Sequence, residues 1–249
     1  MYNIKNIFLT ILKSIFRIST PIFFGVISVT IGFLLLQSTS IDAFNPFVLI
    51  ILEHGLIGAT IVSFLYFSTK WDAYPFDDFN IIHWRKHNIK DAIPIFVLVL
   101  VLLLLNSGLG IVYNFIGVEL SNNILIEQVQ SNPVEILYLI PFMLIFVGPV
   151  EEIILRGLVQ GVLRDNMNVN LAIFVTSLLF GLLHIPAAGG ISMGAFAYVI
   201  TTGSLSLLLG YIYEKEKTIL IPTLAHGVYN SVLLIMTYIA LTNGVEIII

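Results

Sequence analysis

Three apolar stretches of this 249-residue chain contain side chains that could do chemistry. Glu151 and Glu152 are adjacent in the first stretch, His184 lies near the end of the second, and His226 and Asn230 are four residues apart in the third. An ionisable group inside an apolar segment is costly and usually faces a partner or a water-filled cavity. These side chains are therefore the first candidates for a functional site.

Together, these residue types have the components for hydrolysis. A glutamate can act as general base on water that a histidine polarises, and the amide of Asn230 can stabilise an oxyanion. Alternatively, Glu151, His184 and His226 can hold Zn²⁺ or another divalent metal ion that activates water. The residue types leave the metal-dependent and the metal-free mechanism open.

The spacing of the glutamates predicts different roles for them. Glu152 and Arg156 are four residues apart, so on a helix they share a face and can form an ion pair that lowers the cost of burying both. Glu151 lies about 100° round the helix and is not well placed for that pair. The spacing thus leaves Glu151 free for chemistry and makes Glu152 and Arg156 supporting residues. A position at the cytoplasmic interface, where all three side chains reach water, explains the spacing equally well.

The chain between Glu151 and His184 predicts that the two residues face each other. The turn formers of segment 165–168 lie midway between them, and two antiparallel helices joined there would place both residues at similar depth. His226 and Asn230 project from one face of a later helix. Without these neighbours, His184 would be interpreted as a histidine bonded to a backbone carbonyl, and His226 with Asn230 as a polar contact between helices.

Composition indicates that these residues lie in a membrane. Hydrophobic residues make up 58% of the chain and charged residues 10%, with a mean hydropathy of +1.00, whereas soluble domains carry about 25% charged residues. We predict an all-α polytopic transmembrane bundle of about seven to eight spans, in which 1–249 form one membrane-embedded domain and 134–241 hold the catalytic core. The seven counted spans lie near 21–36, 47–67, 92–113, 134–162, 171–184, 193–213 and 219–241.

The charges give an expected orientation and exclude some partners. Apart from Arg156, which can lie within the bilayer, the Lys and Arg residues fall in alternate links under the seven-span count. This distribution predicts a cytoplasmic N-terminus, with residues 1–19 forming a surface helix before a retained first span. A net charge of −4 without a basic stripe argues against nucleic acid as a partner. The absence of cysteine excludes disulfides. The lipid bilayer is the one partner that composition implies.

The three motifs, in this order, resemble those of the CAAX-protease and bacteriocin-processing (CPBP, or Abi) family of intramembrane endopeptidases. The resemblance covers roughly 140–231 and rests on Glu151-Glu152-x-x-x-Arg156, Phe180-x-x-x-His184 and His226-x-x-x-Asn230. It implies an all-helical peptidase that cleaves a peptide or membrane-protein substrate.

In that family's pattern, Glu151 corresponds to the water-activating glutamate, and His184 and His226 correspond to the two histidines. Asn230 corresponds to the oxyanion-stabilising amide. Members are often described as metalloproteases, but the motifs are compatible with zinc and with a metal-free glutamate and histidine pair. A eukaryotic endomembrane and a bacterial cell membrane both fit as the location, and the short, Ile-rich chain favours the bacterial one.

Other polar groups have weaker functional interpretations. Ser192 lies in a G-x-S-x-G pattern, but the strand that precedes a serine-hydrolase nucleophile is not expected here. His83 and His87 have a metal-compatible spacing in a basic link without an adjacent glutamate. Glu53 and His54 interrupt an apolar span, where they could belong to a proton or substrate path or bond to neighbouring helices. We leave them outside the predicted catalytic set.

Two other functions compete with proteolysis. A transporter or channel would use the same ionisable residues to bind a substrate or carry protons, but its two corresponding halves are not found in the sequence. A non-catalytic membrane scaffold or immunity protein would need them only for structure. Substrate and oligomeric state are not determined by the sequence.

Overall fold

The computed structural model describes residues 4–42, 44–70, 85–121 and 123–244, and this part of the chain is built from helices. In chain order the helices are α1 (Ile4–Leu36), α2 (Pro46–Ile50, Ile51–Leu56 and Ile57–Lys70 in continuous succession), α3 (Ala92–Phe115), α4 (Ile124–Val129), α5 (Val134–Arg164), α6 (Val169–Leu183), α7 (Met193–Glu216) and α8 (Leu220–Asn243). The predicted all-helical polytopic bundle is confirmed.

Six of the described helices are long and apolar enough to cross a membrane, namely α1, α2, α3, α5, α7 and α8. The predicted fifth span is α6, which has 15 residues and is shorter than the roughly 20 that a perpendicular crossing needs. The chain is therefore an integral, multi-pass membrane protein. The short α4 was not predicted, because it lies in a segment interpreted from composition as a polar link.

The N-terminal region differs from its prediction. Instead of a surface helix followed by a span, α1 is one continuous helix, of which Leu12–Leu36 is the candidate span. Apolar residues on both sides let the helix run through Pro21, which removes a single backbone donor. The amide of Asn166 donates to the Ser14 hydroxyl at 2.9 Å, which attaches α1 to the turn after α5.

Two helices that carry glutamates, α2 and α5, contain π-helical turns. In α2 the π-helical segment is Ile51–Leu56, and in α5 the segments are Met143–Val147 and Ile153–Gln160. Such turns are rare and frequently occur at functional sites, because the extra residue re-aims the side chains around it. In α5 they flank the α-helical turn Gly148–Glu152, which holds both glutamates.

Short turns and small residues hold the C-terminal helices together. As predicted, α5 ends at Arg164 and α6 begins at Val169, with the side chain of Asn168 accepting from the Leu171 backbone. The backbones of α5 and α8 approach closely at Gly148 and Gly227, where an added Cβ would lie 3.1 Å from backbone atoms of the other helix. This approach brings the glutamate turn of α5 beside α8.

Candidate active site

Glu151 lies between two histidines from other helices. Its Oε1 atom is 3.4 Å from Nε2 of His54 in α2, and its Oε2 atom is 3.7 Å from Nε2 of His226 in α8. The carboxylate side chain is 20% exposed, so it is accessible from a cavity while most of it is buried. Glu151 therefore has the surroundings of a reactive carboxylate, and no Lys or Arg in the described part of the chain pairs with it.

Glu152 links a histidine to an arginine. Its Oε1 atom accepts a hydrogen bond from Nδ1 of His226 at 2.9 Å, and its Oε2 atom lies 3.1 Å from Nε of Arg156. Glu152 and Arg156 are completely buried, as their predicted ion pair on one helix face implies. Because the carboxylate of Glu152 accepts a hydrogen bond from the Nδ1–H group, it fixes the His226 ring with its Nε2 atom toward Glu151.

Arg156 is fixed by groups outside the ion pair. Its Nη2 atom donates to the backbone carbonyl and hydroxyl of Ser206 in α7, at 3.1 and 3.0 Å. Its guanidinium carbon lies 5.6 Å from the centre of the Phe180 ring in α6. The contacts made by Arg156 and Glu152 thus connect four helices, α5, α6, α7 and α8.

His184 follows the last residue of α6 and lines the same cavity as Glu151. Its Nδ1 atom donates to the backbone carbonyl of Phe180 at 2.8 Å, which is the bond expected of a structural histidine. That bond nevertheless fixes the tautomer and leaves Nε2 as an acceptor. The ring of Phe180 lies against both histidines, with ring centres 4.4 Å from His184 and 5.9 Å from His226.

One cavity of about 1270 Å³ connects the predicted site residues. Glu151, His184, His226 and Asn230 all line it. Within the described part of the chain, Asn230 makes no side-chain hydrogen bond, so its amide is available to a bound molecule. The structure therefore brings all four residues to one cavity, while their catalytic roles stay predictions.

His54 is the site residue that sequence reasoning missed. We left it outside the catalytic set, yet it contacts Glu151 and lines the cavity together with Glu53. The signal for His54 in the sequence is that two ionisable residues, Glu53 and His54, interrupt an apolar span. The spacing of adjacent residues could not identify the facing partner, because Glu151 is 97 residues away along the chain.

The other polar candidates have structural positions. Ser192 caps α7 by accepting from the Ala195 backbone at 2.9 Å, and its hydroxyl lies 3.1 Å from that of Ser121. His87 lies 3.3 Å from Asp91 before α3. His83 lies outside the described residues.

A zinc site typically needs three or four protein ligands around one point. Among the described residues, no group of three or more His, Asp, Glu or Cys side chains is placed to hold a metal ion. Nδ1 of His226 donates to Glu152 and Nδ1 of His184 donates to a carbonyl, and such bonds leave the Nε2 atoms of both rings available to a metal ion. The observation against a metal site is therefore the grouping alone, since the described residues as they stand do not bring three protein ligands together.

Most of the candidate site lies in the part of the chain that matches a known protein family. Residues 133–232 match the family model described as “Type II CAAX prenyl endopeptidase Rce1-like”. Over 116 residues, the chain is 26% identical to “Putative membrane peptidase YdiL” of Bacillus subtilis (strain 168). This alignment covers 45% of the chain and 44% of that protein, which is less than half of either. No solved structure matches the chain. The predicted resemblance to the CPBP family is confirmed.

Proposed function

We propose that this chain, a CPBP-family protein through residues 133–232, is an intramembrane endopeptidase that hydrolyses a peptide bond of a membrane-associated peptide or protein. The observation that carries the proposal is the position of Glu151. Its carboxylate lies at a large cavity and touches imidazoles from two other helices. Structural buried carboxylates are usually neutralised by Lys or Arg. Glu152 is neutralised in this way, whereas no Lys or Arg among the described residues pairs with Glu151.

In the proposed reaction, Glu151 is the general base. Its side chain is 20% exposed and lines the cavity, so the carboxylate can accept a proton from a water molecule there. The water oxygen attacks the substrate carbonyl carbon as that proton moves to Glu151. When the carbon–nitrogen bond breaks, Glu151 passes the proton to the leaving amine, and the products are a carboxylic acid and an amine.

The neighbouring groups orient the water and stabilise charge. His226, held by Glu152, and His184, held by the Phe180 carbonyl, bracket the water position with fixed ring orientations. Asn230 is four residues after His226 on α8, and its free amide can donate to the oxyanion of the tetrahedral intermediate. These assignments follow the family pattern onto the matching positions of this chain.

The proposal needs no metal ion. Because the described side chains do not form a metal-ligand set, we derive no step through a metal. We expect purified protein to keep its turnover after dialysis against a chelator, with less than one mole of divalent metal per mole of active protein by elemental analysis. Loss of turnover on chelation that is restored by zinc would contradict this part of the proposal.

The family pattern supports the proposed classes of substrate, and the composition of the chain supports the proposed location. We propose a prenylated protein, a bacteriocin or pheromone precursor, or another membrane protein as the substrate. The proposed location is a bacterial cell membrane, with the N-terminus in the cytoplasm. No observation in the described structure favours a transporter or a scaffold over a peptidase.

The test is cleavage by detergent-purified protein of two internally quenched fluorescent peptides. One ends in a farnesylated cysteine followed by three residues, and the other has the same sequence without the prenyl group. We expect at least one peptide to be cut at a single bond, as identified by mass spectrometry. Folded protein that cuts neither peptide would contradict the proposed function.

A further inference from the structure

His54 contacts the proposed catalytic base but lies outside the segment 133–232 that matches the family model. Its Nε2 atom is 3.4 Å from Oε1 of Glu151. The His54 side chain is 22% exposed and lines the same cavity as Glu151. A third imidazole therefore lines this cavity, in addition to the two that the motifs predict.

The two oxygens of Glu151 have different surroundings. Oε1 accepts the hydrogen bond from His54, whereas Oε2 is buried without a hydrogen-bond partner in the described part of the chain. Among the described residues, His54 is thus the one side chain that hydrogen-bonds this carboxylate, and its bond limits how the carboxylate can rotate.

Helix packing fixes the position of His54. It lies in the π-helical segment Ile51–Leu56, and Gly58 follows it by four residues. A Cβ atom at Gly58 would lie 2.5 Å from Cγ2 of Val150, the residue before Glu151. The absence of a side chain at Gly58 therefore lets α2 approach α5 beside the carboxylate. A group carried by two packed helices is held more rigidly than one on a loop.

We infer that His54 is a positioning residue of the proposed peptidase. Its Nε2–H group donates to Oε1 of Glu151 and holds the carboxylate in the orientation in which it activates the attacking water. This inference rests on the proposed function, because it gives His54 a part in the same reaction. Displacement of a catalytic group by about 1 Å can cost on the order of 100-fold in rate.

Two polar substitutions of similar size test the inference. The amide nitrogen of His54→Gln reaches the position of Nε2, whereas that of His54→Asn reaches only the position of Nδ1. With the cleaved fluorescent peptide, we expect His54→Gln to keep kcat within about threefold and His54→Asn to lower it by roughly 10- to 100-fold. KM should stay within about twofold in both variants, because the lost interaction orients the base and does not bind substrate.

A third variant controls for the loss of a contact between helices. The Thr60 hydroxyl in α2 donates to Ser28 in α1 at 3.0 Å, away from the cavity. Thr60→Val removes that bond and should keep the native kcat. If His54→Gln and His54→Asn have equal kcat values per folded molecule, whether native or reduced, the inference is overturned.

The outcome separates this inference from the proposed function. In a Glu151→Gln background, His54→Asn should cause no further loss of residual rate, since both changes act through one carboxylate. A multiplicative loss in the double variant contradicts the role of His54. Cleavage by Glu151→Gln at the native rate contradicts the proposed function itself.

Discussion

At the scale of single residues, Arg156 stabilises the site by neutralising the second glutamate. Its side chain is completely buried, with Nε 3.1 Å from Glu152, and Glu152 in turn orients His226. Arg156→Ala would strand the charge of Glu152 in a low-dielectric interior, which typically costs about 3 to 5 kcal/mol. We expect this variant to lower the thermal stability and also the turnover, because His226 loses its fixed partner.

Arg164→Ala is the matched control for Arg156→Ala. Arg164 binds Glu214 at 3.1 Å, but Glu214 also accepts from Gln160 at 2.9 Å and from Lys217 at 3.2 Å. Removal of Arg164 therefore leaves Glu214 with other partners, and we expect a loss of about 1 kcal/mol or less. Equal losses of melting temperature and turnover in the two variants would contradict the role given to Arg156.

Local contacts at this scale could be predicted from sequence, and distant contacts could not. The pairing of Glu152 with Arg156 follows from a four-residue spacing on a helix, and the structure contains it. Glu152 and His226, which are hydrogen-bonded, are 74 residues apart along the chain. His54 and Glu151, which are in contact, are 97 residues apart. No periodicity within one helix determines which neighbouring helix it will face.

At the scale of elements, the approach of α5 to α8 sets the distance between Glu151 and His226. Gly227 follows His226 directly, and a Cβ at Gly227 would lie 3.1 Å from the Met143 carbonyl oxygen. We expect Gly227→Ala to push the helices apart and reduce peptide cleavage by about 10-fold or more, as misplacement of catalytic groups does.

Gly110→Ala provides the comparison, because no atom lies within 4 Å of a Cβ added there in α3. We expect this variant to keep native turnover in the same fluorescence assay, since alanine favours a helix over glycine. Native turnover in both alanine variants would show that the α5–α8 spacing does not control the site.

Element boundaries were predicted where turn residues mark them. The turn at 165–168 follows from its cluster of polar residues, and α5 and α6 end on either side of it. The π-helical turns were not predicted, because they depend on packing between helices and have no composition of their own. The continuity of α1 was missed because Lys13 and Arg17 resemble an interfacial segment, whereas Arg17 lies buried and 4.0 Å from Asp165.

At the scale of the whole molecule, the basic residues and the cavity lie at opposite ends of the bundle. Arg85, Lys90, Arg164 and Lys215 lie at the helix ends that the positive-inside rule places in the cytoplasm. The cavity extends from Glu151 to the links at the other end, including segments 118–120 and 123–128, and no Lys or Arg is among its described lining residues. We therefore expect substrate to enter from the extracytoplasmic side.

Single-cysteine labelling tests this orientation, since the natural chain has no cysteine. Gln130 lies at the cavity end and Lys215 at the basic end, and both are exposed. In intact cells, a membrane-impermeant maleimide should label Gln130→Cys, and it should label Lys215→Cys only after lysis. The reverse pattern would place the cavity mouth in the cytoplasm.

The central claim is that the carboxylate of Glu151 activates the water that cleaves the peptide bond. Its most direct test is the initial rate of peptide cleavage by equal amounts of folded native protein, Glu151→Gln and Ser192→Ala. We predict that Glu151→Gln loses at least about 100-fold in kcat, the least expected on removal of a general base. We also predict that Ser192→Ala stays near the native rate, because Ser192 caps α7 outside the cavity. A Glu151→Gln protein that cleaves at the native rate would contradict the claim.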